Sequence, residues 1–527
     1  MSTSSPSAPF RATSLNASRR DAELAELAGG ARPDVLVVGG GITGAAVALD
    51  AASRGLSVAL VEEEDLARNS SRWSRGSARG APPRLVPEEL AHARARAGEL
   101  ASLANRTAPH LFRTLPLLTP FGADVSTADE LTLLTRFRSA EAPRRRTGTN
   151  SLPATRRVPP AEARALVPAL HREDLRGGLL GFTGQPVDEA RLVVALARTA
   201  AGMGARILPR VRATALYRDG ADLLDRLGDS EIRVRARSVV NATGVRAQEL
   251  VEAPGARVLR DSWLLLAADA VDTSHAGVVS AGRDPDNGPL EILPLADGRL
   301  SLGPLTTEST PDEASTRPTG LSDSAREDLL ESGSRLLGRH LSSEHLAGVH
   351  TEARLVLRRA RRAGRDGAAR AFPGHGAHIS PDGVVTVASS GPISFRKAAE
   401  EAVDTAVRTT GLRADSSGTA ALRLVGSTGE DAPDRVEAPP ELVAHYGQDA
   451  ERIVALHELD PSLAERVLDG HSPTVAEVLW AVRHEGALNA TDVLDRRLRM
   501  EPDPSERTAV LGELDGIVAR ALRGVLL

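Results

Sequence analysis

Residues 33–65 read "PDVLVVGGGITGAAVALDAASRGLSVALVEEED": an apolar run, a glycine cluster, an Ala-rich stretch, and a second apolar run that ends in acids. Short apolar runs bounded by turn residues predict buried strands, and the Ala-rich stretch between them predicts a helix. The pattern returns twice. "EIRVRARSVVNATGVRAQELV" alternates into a buried strand that ends in small residues, and from Gly383 "GVVTVASSGPISFRKAAEEAVDTAVRTTG" again reads strand, turn, helix. Between these returns, "PEELAHARARAGELASLANRTAPHLF" and "DEARLVVALARTAAGMGARIL" carry helical apolar spacing, and the second leads into the strand-like "RVRATALYRD". Residues from about 258 to 370 hold short strand-like pieces around one helical stretch, whereas 441–527 carry only helical patterns. The "RADSSGTAALRLVGSTGEDAPDRVEAPP" stretch lacks periodicity and predicts a linker or surface loop.

The glycines turn this α/β pattern into candidate chemistry. Gly39 permits a tight turn, Gly41 lets backbone approach a pyrophosphate, and Gly44 allows close packing of helix on strand, with helix N–H groups open to an anion. Glu62 closes the second strand about 20 residues further on, where a carboxylate accepts hydrogen bonds from an adenosine ribose and repels the extra phosphate of NADP. Ala242, Thr243 and Gly244 end the second return, the place where an open sheet meets its ligand. The motif alone leaves FAD and NAD both open, because the two share the pyrophosphate cradle.

Composition narrows the chemistry. The chain of 527 residues is 41% hydrophobic, enough for two or three domains, and its formal net charge of -5 gives no general attraction to nucleic acid. Arg144, Arg145 and Arg146 read as a solvated face. There is no cysteine, which excludes disulfides, thiolate metal sites and a Cys-linked flavin, so redox chemistry needs a bound cofactor. No apolar run approaches the roughly 18–20 residues of a membrane span, and the first thirty residues lack a secretory apolar block, which places the expected site of action in the cytoplasm.

Four stretches, "VVGGGITGAAVALDAASRGLSVALVEEEDLA", "QPVDEARLVVALARTA", "ARSVVNATGVRAQEL" and "AEVLWAVRHEGALNATDVLDRRLR", together resemble the FAD-dependent glycerol-3-phosphate dehydrogenases from about Pro33 to Arg499. The last stretch discriminates best, since flavin amine and amino-acid oxidases share the nucleotide segments. The resemblance implies an FAD-binding Rossmann-like domain of the glutathione-reductase/DAO type with an inserted sheet-based substrate domain, plus an all-α C-terminal domain. The expected boundaries are a flexible tail at 1–32, an oxidoreductase region at 33–412, a linker at 413–440 and a helical domain at 441–527. Within the second, FAD segments fall at about 33–115, 185–257 and 372–412, and the substrate domain at about 116–184 and 258–371. Asn489 and Thr491 are cap candidates for the last helix of the signature, with Thr491 preferred.

The implied reaction is oxidation of sn-glycerol 3-phosphate to dihydroxyacetone phosphate by non-covalent FAD, with electrons passed to a quinone or other acceptor. The alternatives are a flavoprotein acting on another small hydroxy or amino compound, or a catalytically impaired FAD-binding homologue. Arg354 in "HTEARLV" stands where the family has its substrate arginine and is expected to grip the phosphate, and His375 in "PGHGAHIS" stands at the family histidine expected as general base. Ser70, Ser71, Arg72, Ala213, Ser390 and Gly391 complete the expected cofactor-binding set. Family members commonly sit as dimers on a membrane surface, which leaves a homodimer and peripheral contact with the inner membrane face open here.

Four departures are as informative as the matches. Ala78 and Arg79 stand at the family's His-Gly, Pro82 and Pro83 at its Arg-Tyr, Gly391 at its lysine and Thr306 at its aspartate. These losses spare the adenine half of the nucleotide site, and Arg75, Arg79 and Arg84 are candidate replacement cations.

Overall fold

The computed structural model describes residues 10–72, 87–146, 152–253, 255–272, 276–282, 289–295, 298–310, 313, 320–357, 376–389, 393–428, 436–468, 470–498, 500 and 506–524. Its nucleotide half is a six-stranded sheet in the order Gly376–Ile379, Val385–Ala388, Ser238–Asn241, Val35–Val38, Val58–Glu62, Arg206–Pro209, parallel except for the first strand at the edge. Side chains on a strand alternate between faces, and both faces here are covered. Val35 and Val37 pack with Val58 and Leu60 under the helices Ile42–Ser53, Glu189–Gly202 and Phe395–Thr410. Leu36 and Val38 pack with Ala59 and Val61 against the three-stranded sheet of residues 211–235. From Val35–Val38 the chain leaves to one side for Val58–Glu62 and returns on the other as Ser238–Asn241, so the strand order reverses beside the glycines.

The other half, expected from the sequence to be the substrate domain, is an eight-stranded sheet in the order Leu346–Leu357, Ala256–Leu266, Leu300–Ser309, Glu291–Pro294, Gly277–Val279, Phe112–Phe121, Gly177–Pro186, Arg156–Val158. Its core includes Leu264, Leu302, Ile292, Leu118 and Leu180, with the helix Asp323–Leu337 packed on it. The C-terminal helices Pro440–Tyr446, Ala450–Leu459, Val475–His484 and Arg507–Leu522 close around Ile453, Trp480, Leu514 and Val518.

Two expected boundaries change. Residues 17–28 of the expected tail form a helix capped by Asn16, whose Oδ1 accepts from Arg19 N–H at 3.0 Å. Arg20 in that helix is buried, donates to the Pro209 carbonyl at 2.9 Å and pairs with Asp225. A polar composition hid these long-range partners. The expected linker is also packed up to residue 428: Leu424 is buried and donates its N–H to the Thr107 carbonyl, while Ser417 and Thr419 hydrogen-bond Asp50. In the C-terminal signature the cap is Asn489, which accepts from Asp492 N–H at 2.8 Å, and Thr491 lies inside the short helix.

Candidate active site

The glycine loop is shaped by what each glycine excludes. Gly39 has φ +112°, and a Cβ there would sit 2.6 Å from the Ala242 carbonyl oxygen. A Cβ on Gly44 would overlap the Gly39 carbonyl, so Gly44 serves from behind the loop by letting the helix close on the strand. Gly40 is needed as well, since a Cβ there would press on the Glu62 side chain at 2.8 Å. Gly41 starts the helix Ile42–Ser53 without a side-chain cap of its own, and Ser71 Oγ instead accepts from Ile42 N–H at 2.9 Å.

Glu62 holds this loop. Its carboxylate accepts from Gly40 N–H at 2.6 Å and Glu64 N–H at 2.9 Å, and burial raises its pKa against the pull of those two N–H groups. On the neighbouring strand, Asn241 Oδ1 accepts from Thr243 Oγ1 at 2.7 Å while its amide donates to the Ala247 carbonyl at 2.9 Å, which fixes the Ala242–Gly244 turn. One cavity is lined by Gly39, Gly41, Glu62, Ser70, Ser71, Ala242, Thr243 and Gly244, and also by Glu189, Glu352 and Arg354.

The last two residues belong to a polar wall on the substrate sheet. Arg354 donates from Nε to Asp261 Oδ2 at 2.6 Å and from Nη2 to Asp261 Oδ1 at 3.5 Å, and Thr306 Oγ1 donates to the same Asp261 Oδ1 at 2.6 Å. Thr306 faces Asp261 across one strand pair, and Asp261 faces Glu352 across the next. Thr306, which stands where the family resemblance places an aspartate, thus meets a carboxylate on the adjoining strand. Burial, with Glu189 and Asp261 nearby, holds the Glu352 carboxyl well above its usual range, and Arg354 opposes this. Asp261, Glu352 and Glu189 were not among the residues expected from the sequence; acids at strand positions carry no periodic signal of their own.

Other expected residues divide clearly. Ser70 Oγ donates to the Ala353 carbonyl at 2.6 Å, tying the serine loop to the arginine strand, and Arg72 ends the short helical turn Ser70–Arg72. Ala213 does not reach the cavity; it is buried with Leu36, Val38 and Val61, because the strand Val211–Tyr217 lies in the layer behind the nucleotide sheet. His375, Ser390, Gly391, Arg75, Arg79 and Arg84 lie outside the described residues. Larger volume does not mark the site. A cleft of about 1070 Å³ on the far part of the substrate sheet has no glycine loop, and its Arg172 is tied to Asp124 and Asp174.

The comparisons decide the family. Residues 34–391 match the model of the FAD dependent oxidoreductases, and residues 417–523 match the C-terminal domain of alpha-glycerophosphate oxidase. Glycerol-3-phosphate dehydrogenase 1 of Mycobacterium tuberculosis is 35% identical over 515 residues, covering 96% of this chain and 98% of that protein. The chain belongs to the FAD-dependent glycerol-3-phosphate dehydrogenase family. A Mycobacterium leprae glycerol-3-phosphate dehydrogenase is 29% identical over 527 residues, covering 93% of this chain and 85% of its own length. The fold is shared with the Bacillus halodurans glycerol-3-phosphate dehydrogenase solved with FAD, at TM-score 0.68 and 20% identity over 98% and 97% of the two chains.

The family cofactor is FAD, and the residues present fit it. The glycine loop keeps side chains away from a pyrophosphate path, and Gly41 and the following turn offer backbone N–H groups at a helix start. The family's C-terminal signature has a structural reason as well. Glu485 accepts a two-pronged pair from Arg191 at 2.6 and 3.2 Å, and Arg496 and Arg497 converge on Asp65, three residues beyond Glu62, at 2.6 and 2.9 Å. The signature is the seam by which the helical domain holds the nucleotide loop.

Proposed function

We propose that this protein oxidises sn-glycerol 3-phosphate to dihydroxyacetone phosphate with FAD. The observation that carries this reading is that Arg354 opens into the same cavity as the glycine loop, so a small substrate held by the guanidinium lies beside a nucleotide on that loop. When bound, FAD would supply the hydride acceptor for the secondary alcohol. Gly39, Gly41 and the Ala242–Gly244 turn would hold its pyrophosphate side, with the remaining lone pairs of Glu62 for the ribose. Arg354 keeps N–H donors beyond the edge paired with Asp261, and these meet the phosphate. His375 is our choice for the base that takes the hydroxyl proton, on the family resemblance. A quinone or another acceptor would take the electrons onward, with peripheral membrane contact and a homodimer as the working arrangement; no helix among the described residues is long and apolar enough to cross a membrane.

The test is anaerobic titration of the FAD-loaded protein with glycerol 3-phosphate, followed by flavin absorbance. Bleaching is expected, and Arg354→Lys should raise the half-saturating substrate concentration about ten- to a hundredfold by removing the planar fork. An unbleached flavin at millimolar substrate rejects the reading. One observation favours a second reading, oxidation of another small hydroxy or amino compound: Arg354 already has a carboxylate partner, and Glu352 adds another acid beside it.

A further inference from the structure

Asp261 and Glu352 are direct cross-strand partners on Ala256–Leu266 and Leu346–Leu357, and Thr306 is the partner of Asp261 on Leu300–Ser309. Direct partners share a face of the sheet, and Arg354, two positions beyond Glu352, shares it too. Glu189 enters the same cavity from the first turn of the helix Glu189–Gly202. Among the described residues, Asp261, Glu352 and Glu189 thus gather around Arg354, while the other guanidinium of this cavity, Arg68, is paired with Glu64. No hydrogen bond among the described residues engages the Glu352 side chain, whereas Asp261 is held by Arg354 and Thr306.

We infer that Asp261 and Glu352 are specificity residues that restrain the anionic end of the substrate, lowering the affinity of the Arg354 site for a phosphate group. The inference rests on the phosphorylated-alcohol reading above. A phosphate that approaches Arg354 meets a carboxylate already on one edge of the guanidinium and a second carboxyl two positions along the same strand. Like charges a few ångströms apart in a partly dry cavity repel enough to change an affinity by about ten- to a hundredfold each. The Glu352 titration is raised first by burial and then by Glu189 and Asp261, and those two neighbours that resist a charge on Glu352 resist one on a ligand as well. Sugar and glycerol hydroxyls, by contrast, can donate to both acids.

The experiment uses the FAD-loaded protein and sulfate, a dianion that does not titrate in the working range, with binding followed by calorimetry and by perturbation of flavin absorbance. Asp261→Asn keeps an oxygen that can accept from Arg354 Nε, and Glu352→Gln keeps the side-chain size, so each removes charge with little else. Sulfate should bind at least about tenfold more tightly to Asp261→Asn and more tightly still to the double variant. In wild type the affinity should fall as pH rises through the Glu352 titration, which Glu189, Asp261 and Arg354 face, and Glu352→Gln should flatten that fall. Binding that is unchanged, absent or weaker in the variants would overturn the inference, a weaker value for Asp261→Asn meaning that Asp261 only holds Arg354 in place. Flavin bleaching by glycerol 3-phosphate is read separately. Bleaching without tighter sulfate binding sinks this inference alone, and tighter sulfate binding without bleaching sinks the proposed reaction alone.

Discussion

Two arginine–carboxylate groups flank the nucleotide loop, and they differ in what surrounds them. At the seam with the helical domain, Arg497 and Asp65 have 0% and 1% of their side chains exposed, and Asp65 is shared with Arg496, itself paired to Asp492. On the substrate wall, Arg354 and Asp261 are 23% and 14% exposed, and among the described residues the adjacent Glu352 carboxyl has no hydrogen-bond partner. The chemical types are the same. The seam is dry and its Asp65 carboxylate is satisfied on both oxygens, so burial raises the Asp65 pKa less than the two guanidiniums lower it. The wall leaves charge facing a cavity, where a ligand can use it. Completeness of hydrogen bonding, more than the presence of an ion pair, separates a scaffold from a site.

The sharpest way to break this contrast is to remove one arginine from each group. Arg497→Ala leaves Asp65 buried without one of its two guanidiniums and should cost about 3–5 kcal/mol of stability in chemical denaturation of the FAD-loaded protein. It should also loosen FAD retention, because Asp65 anchors the turn after Glu62. Arg354→Ala, at a partly wet pair, should cost about 1 kcal/mol or less. Equal losses at the two positions would show that the distinction drawn from burial is empty.

A second test uses pH, because the seam also holds a buried histidine, His110, and a partly buried one, His484. Burial first, then Arg191 and His445, press His110 down to about 3, and burial with Arg198 presses His484 down to about 4. Both folded values lie below the unfolded one near 6.5, so unfolding takes up protons. Stability from this source is full above about pH 6.5 and is lost as pH falls toward 4 for His484 and toward 3 for His110, with a slope of about 1.4 kcal/mol per pH unit for each. Denaturation midpoints measured from pH 7 to 4 should fall steeply in wild type and less steeply in His484→Gln. A flat wild-type profile would remove the histidines from the account of the seam.

Legibility in the sequence followed the same division. Gly39, Gly41, Gly44 and the Ala242–Gly244 turn could be read because each solves a local backbone problem at a fixed spacing, and Glu62 because it ends a strand at the expected distance. Gly40 escaped notice although a Cβ there would collide with Glu62, since that clash arises from a strand about 20 residues away. The missing aspartate at Thr306 read as a lost polar feature, yet strand pairing returns a carboxylate through Asp261. No sequence period reports which positions of separate strands meet across a sheet. The helix Ala17–Ala28 was hidden for a related reason: Arg20 finds Asp225 and the Pro209 carbonyl only after the sheet forms.

The smallest expected effect bears on the wall itself. Glu352 has its folded pKa raised, chiefly by burial and then by Glu189 and Asp261, so its contribution to stability is fullest below its unfolded value near 4.5 and is lost as pH rises through the folded value. Above that unfolded value the fold therefore either keeps a proton that the unfolded chain releases or buries a charge, and a neutral amide at this position removes both costs. Glu352→Gln should be more stable than wild type by about 0.5–2 kcal/mol at neutral pH, with the gain shrinking toward pH 4. Seam acids should behave oppositely: Asp65→Asn discards a carboxylate that two arginines need and should destabilise at neutral pH. Paired denaturation curves at pH 7.5 and 4.5 measure both signs at once. If Glu352→Gln destabilises at pH 7.5, the Glu352 carboxylate is a structural partner of Arg354, and the wall resembles the seam after all.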